Sequence, residues 1–283
     1  MKREQLAYAV WSWGLQEREQ LETALCDIRE AGFHNFESVY LTIDLFMDEQ
    51  AGFKKLVKKY GVQPVSFYFH ITGSYDDYVK EIEERLGFMV NNGVSRISVQ
   101  ARGKKGGGAT REELAKLSEA LNRVGRLLVP YGIIPCLHPH NNTDVMFESD
   151  IDFVLRNTDP ELVGFGPDTA HLMVGGCDPV SIMARYADRI EFTHLKDVRR
   201  NKQSEDVSQA EGWNQTFEVY SDFLELGCGD VDLPGVFAVL DKAGYKGYLT
   251  VELDRAPISN RESVRNNASY MERSLRDIFQ RER

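Results

Sequence analysis

The feature that most restricts the fold is a rhythm: short apolar runs alternate with longer amphipathic stretches, eight times over. The runs are LAYAVWSW, FHNFESVY, VQPVSFYFH, VSRISVQ, IIPCLHPH, LVGFGPD, RIEFTHL and GYLTVEL. Helix punctuation separates them. Gly32, Gly61, Gly93 and Gly132 stand where helices should end, Ser74 stands where one should begin, and Thr110 with Glu113 reads as a capping box. Strand and helix in this order demand a parallel sheet with helical crossovers. Eight such units in 283 residues favour a closed (β/α)8 barrel, one α/β domain over residues 1–283, rather than an open doubly wound sheet. The irregular stretch runs from Arg199 to Phe223. It is polar yet keeps Trp213, Phe217 and Tyr220, and reads as a lid, an oligomer contact or an ordinary surface excursion.

In a parallel barrel the carboxyl ends of all strands open on one face, where chemistry concentrates. The last four runs carry His138, Asp168, His194 and Glu252 at or near their ends. Residues two apart on a strand share a face, so His140 should project with His138. Two imidazoles and two carboxylates, without a thiolate, suit Mn²⁺, Fe²⁺, Co²⁺, Zn²⁺ or Mg²⁺. Taken singly, Glu252 reads equally as a solvated strand end, His194 as a rim histidine and Asp168 as a cap for the turn at Thr169. The coincidence at four consecutive strand ends points to one shared divalent metal. Only one of His138 and His140 need be a ligand; the other is then a substrate contact or proton shuttle.

A second ring of candidates surrounds these. His171, three residues after Asp168, either reaches substrate or ties loop to loop. Lys196 faces inward with His194 and either binds a substrate oxygen or pairs with Asp168 or Glu252. Glu37, His70 and Gln100 end earlier strands and are expected to line the pocket. Trp11 and Trp13 share a face of the first run, Trp11 assigned to the core and Trp13 to the pocket wall. The glycines of Lys104 to Gly108 invite a phosphate reading but lack the spacing of either glycine-rich nucleotide motif, and read as a loop.

A net charge of −10 argues against a nucleic-acid partner. The four cysteines form no CxxC pair, and no run approaches the roughly 20 apolar residues that span a bilayer. The opening residues carry no signal-peptide-like apolar segment. A cytoplasmic protein with reduced thiols and no membrane partner is expected.

Three segments, GFGPDTAHLMVGGCDP, FTHLKDV and GCGDVDLPGVFAVLDKAGYKGYLTVELD, carry a resemblance. They are similar to the xylose-isomerase-like TIM-barrel superfamily of sugar isomerases, epimerases, inosose dehydratases and endonuclease IV. The likeness is strongest to the branch of inosose dehydratase and the proteins called sugar-phosphate isomerase/epimerase. It implies a single (β/α)8 TIM barrel holding one divalent metal, often Mn²⁺, with Asp168, His194 and Glu252 as ligands and His171 at the substrate. One departure stands out. The ketose epimerases carry a glutamate at the fifth strand end that is both ligand and acid/base, and here His138 stands in that place. The additional histidines of a trinuclear endonuclease site are not all present.

The activity expected is that of a metal-dependent isomerase or epimerase of a ketose, keto-sugar or keto-cyclitol. It would remove a proton α to a carbonyl through a metal-stabilised enediolate. Glu252 or His140 is expected as base, with His138 as fourth ligand or exchanging roles with His140. The same chemistry serves an inosose-dehydratase-type or 3-keto-glycoside lyase. A reading of another class is a non-catalytic or partner-dependent barrel subunit. A homo-oligomer is compatible with the sequence.

Overall fold

A computed structural model describes residues 1–200 and 220–281. Eight parallel strands form a nearly closed barrel: β1 (Leu6–Ala9), β2 (Asn35–Val39), β3 (Gln63–His70), β4 (Arg96–Gln100), β5 (Ile134–His138), β6 (Gly164–Phe165), β7 (Phe192–Leu195) and β10 (Tyr248–Val251). Their order around the sheet is β6-β5-β4-β3-β2-β1-β10-β7. The ring closes between β6 and β7 through two isolated parallel bridges, Phe165 to Ile190 and Asp168 to His194.

Helices α1 (Arg18–Glu30), α2 (Tyr40–Phe46), α3 (Gln50–Tyr60), α4 (Tyr75–Asn91), α5 (Arg111–Leu128), α6 (Glu148–Arg156), α7 (Thr169–Val174), α8 (Pro179–Arg185), α9 (Leu233–Lys242) and α10 (Asn260–Ser274) follow the strands. The caps read from the sequence are in place. Ser74 Oγ accepts the Asp77 amide at 3.1 Å. Thr110 Oγ1 accepts the Glu113 amide at 3.2 Å, and Glu113 returns a carboxylate to the Thr110 amide at 2.8 Å. Two features were not expected. Helix α2 interrupts the passage from β2 to α3. The flanks of the polar excursion pair with each other as antiparallel strands β8 (Asp197–Arg200) and β9 (Tyr220–Leu224). Trp213 and Phe217, read as a lid or contact, lie outside the described residues. No helix among the described residues is long and apolar enough to cross a membrane.

The barrel interior is layered. At the floor Ala7, Val65, Cys136 and Phe192 form an apolar cluster, with Ile134 and Tyr248 packed against it. One pleat higher the same strands turn polar. The change follows from the two-residue period: Cys136 precedes His138, Phe192 precedes His194, and Tyr248 precedes Thr250 and then Glu252.

The glycine stretch after β4 is engaged with the loop after β5. Gly106, Gly107 and Gly108 all have positive φ, which glycine adopts without strain. The Gly106 amide donates to Asn142 Oδ1 at 3.2 Å and the Gly108 amide to the Thr143 carbonyl at 2.9 Å. These amides serve the scaffold rather than an anion.

Candidate metal centre

The four strand-end residues converge. Asp168 ends the sixth run and N-caps α7, its Oδ1 accepting the His171 amide at 2.7 Å. The capping and metal readings are thus both satisfied by one carboxylate, because Oδ2 has no hydrogen-bond partner. Asp168, His194 and Glu252 each offer a ligand atom, all within 4.8 Å of one another, and Asp168 does the same with His138 and His171. Two triads therefore share Asp168. His194 bridges them, its Nδ1 lying 3.0 Å from His138 Nδ1 and 3.2 Å from Glu252 Oε2.

All five side chains are buried. A buried polar atom without a partner costs about 1–3 kcal/mol. Asp168 Oδ2, Glu252 Oε2 and His171 Nδ1 make no hydrogen bond, although His194 Nδ1 stands near the second of these. Three orphaned donor atoms from two carboxylates and an imidazole, in one desolvated cluster, fit a divalent cation.

Lys196 sits beside this cluster, fully buried. Its Nζ lies 2.5 Å from Glu252 Oε1, 3.0 Å from Asp254 Oδ1, 3.2 Å from His171 Nε2 and 3.9 Å from Asp168 Oδ2. Its backbone is held by Thr169, whose hydroxyl donates to the Lys196 carbonyl at 2.6 Å. Phe223 of β9 covers the ammonium, 4.1 Å from its ring centroid, and meets the His171 ring edge-on at 4.9 Å. Lys196 thus pairs with Glu252 and Asp254.

The charges sort the imidazoles into two kinds. Burial, with the neighbouring cationic groups, drives His138 and His171 well below the ordinary histidine value. Burial and Lys196 bring His140 down to about 4. Burial also acts to lower His194, but Glu37, Glu252 and Asp168 outweigh it and raise that group to about 9. Burial pushes Asp168 well up, against the pull of Lys196. For Glu252 burial acts upward, yet Lys196 and His194 prevail and hold it below the usual carboxylate range. Three neutral imidazoles thus line one side of the cluster. His140 lies against His171 with centroids 3.7 Å apart, and its Nδ1 is 2.8 Å from the Asn141 carbonyl, which leaves Nε2 as the basic nitrogen.

The second-ring residues stand at different depths around the centre. Glu37, read as a pocket-lining substrate contact, is fully buried beneath the cluster: Ser66 and Ser98 donate to Oε1 at 2.7 Å each, and Oε2 meets His194 Nε2. Trp11 and Trp13 both pack half-buried against the core, with different partners. The first strand stops at Ala9 and Trp11–Trp13 form a 3-10 turn, so the two indoles do not share a strand face. Trp11 approaches His194 edge-on at 5.7 Å and Tyr68 at 5.3 Å. Trp13 instead donates Nε1 to Asp27 of α1 at 3.0 Å. His70 packs on Tyr40 with centroids 5.4 Å apart, one step further out on β3. Gln100 reaches the centre indirectly, its Oε1 accepting from the Tyr68 hydroxyl.

Tyr68, Asp254 and Phe223 were not singled out from the sequence. Tyr68 stands against His138 at 5.2 Å. It lies two residues before His70 and Asp254 two after Glu252, so the strand period carried a signal for both. None marks Phe223, which arrives by the antiparallel pairing of β8 and β9.

The sequence profile of xylose isomerase-like TIM barrels matches residues 26–274. The inosose dehydratase of Clostridium tetani is 33% identical over 148 residues, covering 52% of this chain and 49% of that protein. That of Clostridium perfringens is 30% identical over 201 residues and 67% of each chain. The match to the first of these thus spans about half of the relative's length. Among solved structures, the D-allulose 3-epimerase of Methylomonas sp. superposes with a TM-score of 0.77 at 17% identity, over 97% of this chain and 99% of that one. The IOLI protein with a binding zinc atom superposes with a TM-score of 0.73 at 15% identity, over 96% and 98%. At these identities the two structures speak for the fold.

Proposed function

The chain belongs to the family of xylose isomerase-like TIM barrels, and from that premise we propose a divalent-metal-dependent enzyme that removes a proton α to the carbonyl of a keto-sugar or keto-cyclitol. The observation that carries the reading is the trio of orphaned buried atoms, Asp168 Oδ2, Glu252 Oε2 and His171 Nδ1, set beside three neutral imidazoles. Asp168, His194 and Glu252 would hold the cation, with His138 as fourth ligand. Mn²⁺ is the first candidate, and Zn²⁺, Co²⁺, Fe²⁺ and Mg²⁺ suit the same donors. When bound, the metal supplies Lewis-acid stabilisation of charge developing on the substrate's oxygens.

The chain's own groups then divide the work. His140 is the base, because its Nε2 is a basic imidazole nitrogen, neutral at physiological pH. Glu252 suits the ligand role better, since Lys196 already engages Oε1. Trp11 and Tyr68 form an aromatic wall on one side and Phe223 one on the other, limiting water around the reacting carbons. After proton removal, loss of the β-hydroxyl with one proton gives water and an unsaturated ketone; return of the proton to carbon instead gives epimerisation or isomerisation. The strand-five His138, standing where the two-glutamate epimerases place a carboxylate, and the inosose dehydratase relatives support the elimination outcome. A soluble cytoplasmic enzyme acting on small molecules is part of the same proposal.

The test is a panel of inososes and ketoses with Mn²⁺-reconstituted protein in deuterated buffer. An unsaturated ketone as product supports elimination, and deuterium in recovered isomer supports the epimerase alternative. Turnover that survives complete chelation sinks the metal-dependent reading. Stoichiometric metal with no turnover on the whole panel favours a non-catalytic barrel.

A further inference from the structure

We infer that Glu37 is a positioning residue for the metal centre: it accepts the Nε2 proton of His194 and so fixes Nδ1 as the nitrogen offered to a cation. The inference rests on the metal reading above and concerns a residue that no part of the proposed chemistry uses. Glu37 is the central residue of β2 and is fully buried. Burying a carboxylate is costly, and such groups persist where every oxygen is engaged. Here the engagement is complete. Ser66 of β3 and Ser98 of β4 each donate to Oε1 at 2.7 Å, which leaves Oε2 for His194.

Donor accounting then sets the histidine. A carboxylate has no hydrogen to give, so the hydrogen between Oε2 and Nε2 belongs to the imidazole. The neutral ring therefore carries its lone pair on Nδ1. That atom faces Glu252 Oε2 at 3.2 Å, inside the Asp168–His194–Glu252 triad. The ring is also bracketed edge-on by Trp11 at 5.7 Å and Phe192 at 5.4 Å, which opposes a flip.

A backbone irregularity points the same way. The register between β2 and β3 pairs Phe36 with Pro64, then Glu37 with Ser66, skipping Val65. The extra residue sends Val65 to the apolar floor and brings Ser66 opposite the carboxylate. Bulges of this kind re-aim single side chains beside functional sites. Outer carboxylates that hold a metal-binding histidine fix its tautomer and raise its basicity.

The test is Zn²⁺ affinity, measured by chelator competition on the full chain, for wild type, Glu37→Gln and the double variant Ser66→Ala/Ser98→Ala. Nitrogen NMR of the histidines in zinc-loaded wild type accompanies it. Loss of Glu37 should weaken Zn²⁺ binding by about 10–100-fold with the fold retained, and loss of the serines by a smaller factor. In wild type the His194 Nε2 should keep its proton while Nδ1 binds zinc. A folded Glu37→Gln protein with wild-type affinity, or zinc on Nε2, overturns the inference while the metal reading stands. Should Glu37→Gln not fold, the serine variant and the wild-type spectrum decide. A wild-type chain that takes up no Zn²⁺ overturns both.

Discussion

The floor and the rim of this barrel are built on the same strands, two to four residues apart, and they answer to different physics. Cys136, Phe192 and Tyr248 fill the bottom with apolar surface, while His138, His194 and Glu252 gather polar atoms at the top. The floor is satisfied by the protein alone. The rim is not, since three of its buried atoms have no hydrogen-bond partner. The difference teaches that the (β/α)8 scaffold carries its stability low and leaves its upper layer free to be frustrated.

The comparison breaks most visibly at Asp168. Replacing it with Asn should remove metal from the purified protein and cost about 10³-fold or more in turnover, since several kcal/mol of charge stabilisation are lost. Elemental analysis with wild-type metal content in that variant would refute the ligand role. At the floor the opposite pattern is expected. Val65→Ala should cost about 2 kcal/mol of stability, measured by denaturant melting, and leave metal content unchanged. Metal loss in that variant would show that the layers are not separable.

The third prediction uses pH. In the metal-free centre His194 is held up to about 9, so below that pH an incoming cation must displace a proton. Apparent affinity should rise with pH, by up to about tenfold per unit, and level off near pH 9. A flat profile between pH 6 and 8, as conditions of the assay, would exclude His194 as a ligand that binds by losing that proton. The smallest effect is expected at Trp13. Trp13→Phe should cost about 1 kcal/mol through the lost bond to Asp27 and leave KM unaltered. A raised KM would return Trp13 to the pocket wall.

The barrel was legible because its signal is periodic and local. Apolar runs, capping residues and closing glycines each name an element without knowledge of its neighbours. The strand ends His138, Asp168, His194 and Glu252 were legible for a related reason: parallel topology alone sends them to one face. What lies around them depends on contacts between distant segments. Glu37 looked like a pocket residue because nothing in FHNFESVY reveals that Ser66 and Ser98 come to meet it. The different partners of Trp11 and Trp13 turn on where β1 stops, and strand ends are set by tertiary packing more than by propensity. Phe223 depends on a pairing across the excursion that no local pattern encodes.

The barrel's circumference closes between β6 and β7 by two isolated bridges, and one of them joins Asp168 to His194. Both ends of that bridge are proposed metal ligands, so a bound ion would act as a clasp across the thinnest part of the wall. Emptying the centre would then do more than silence it: the ring would unzip there first. Amides on either side of that seam, in residues 163–168 and 190–195, would exchange with solvent sooner than those of β2 to β4.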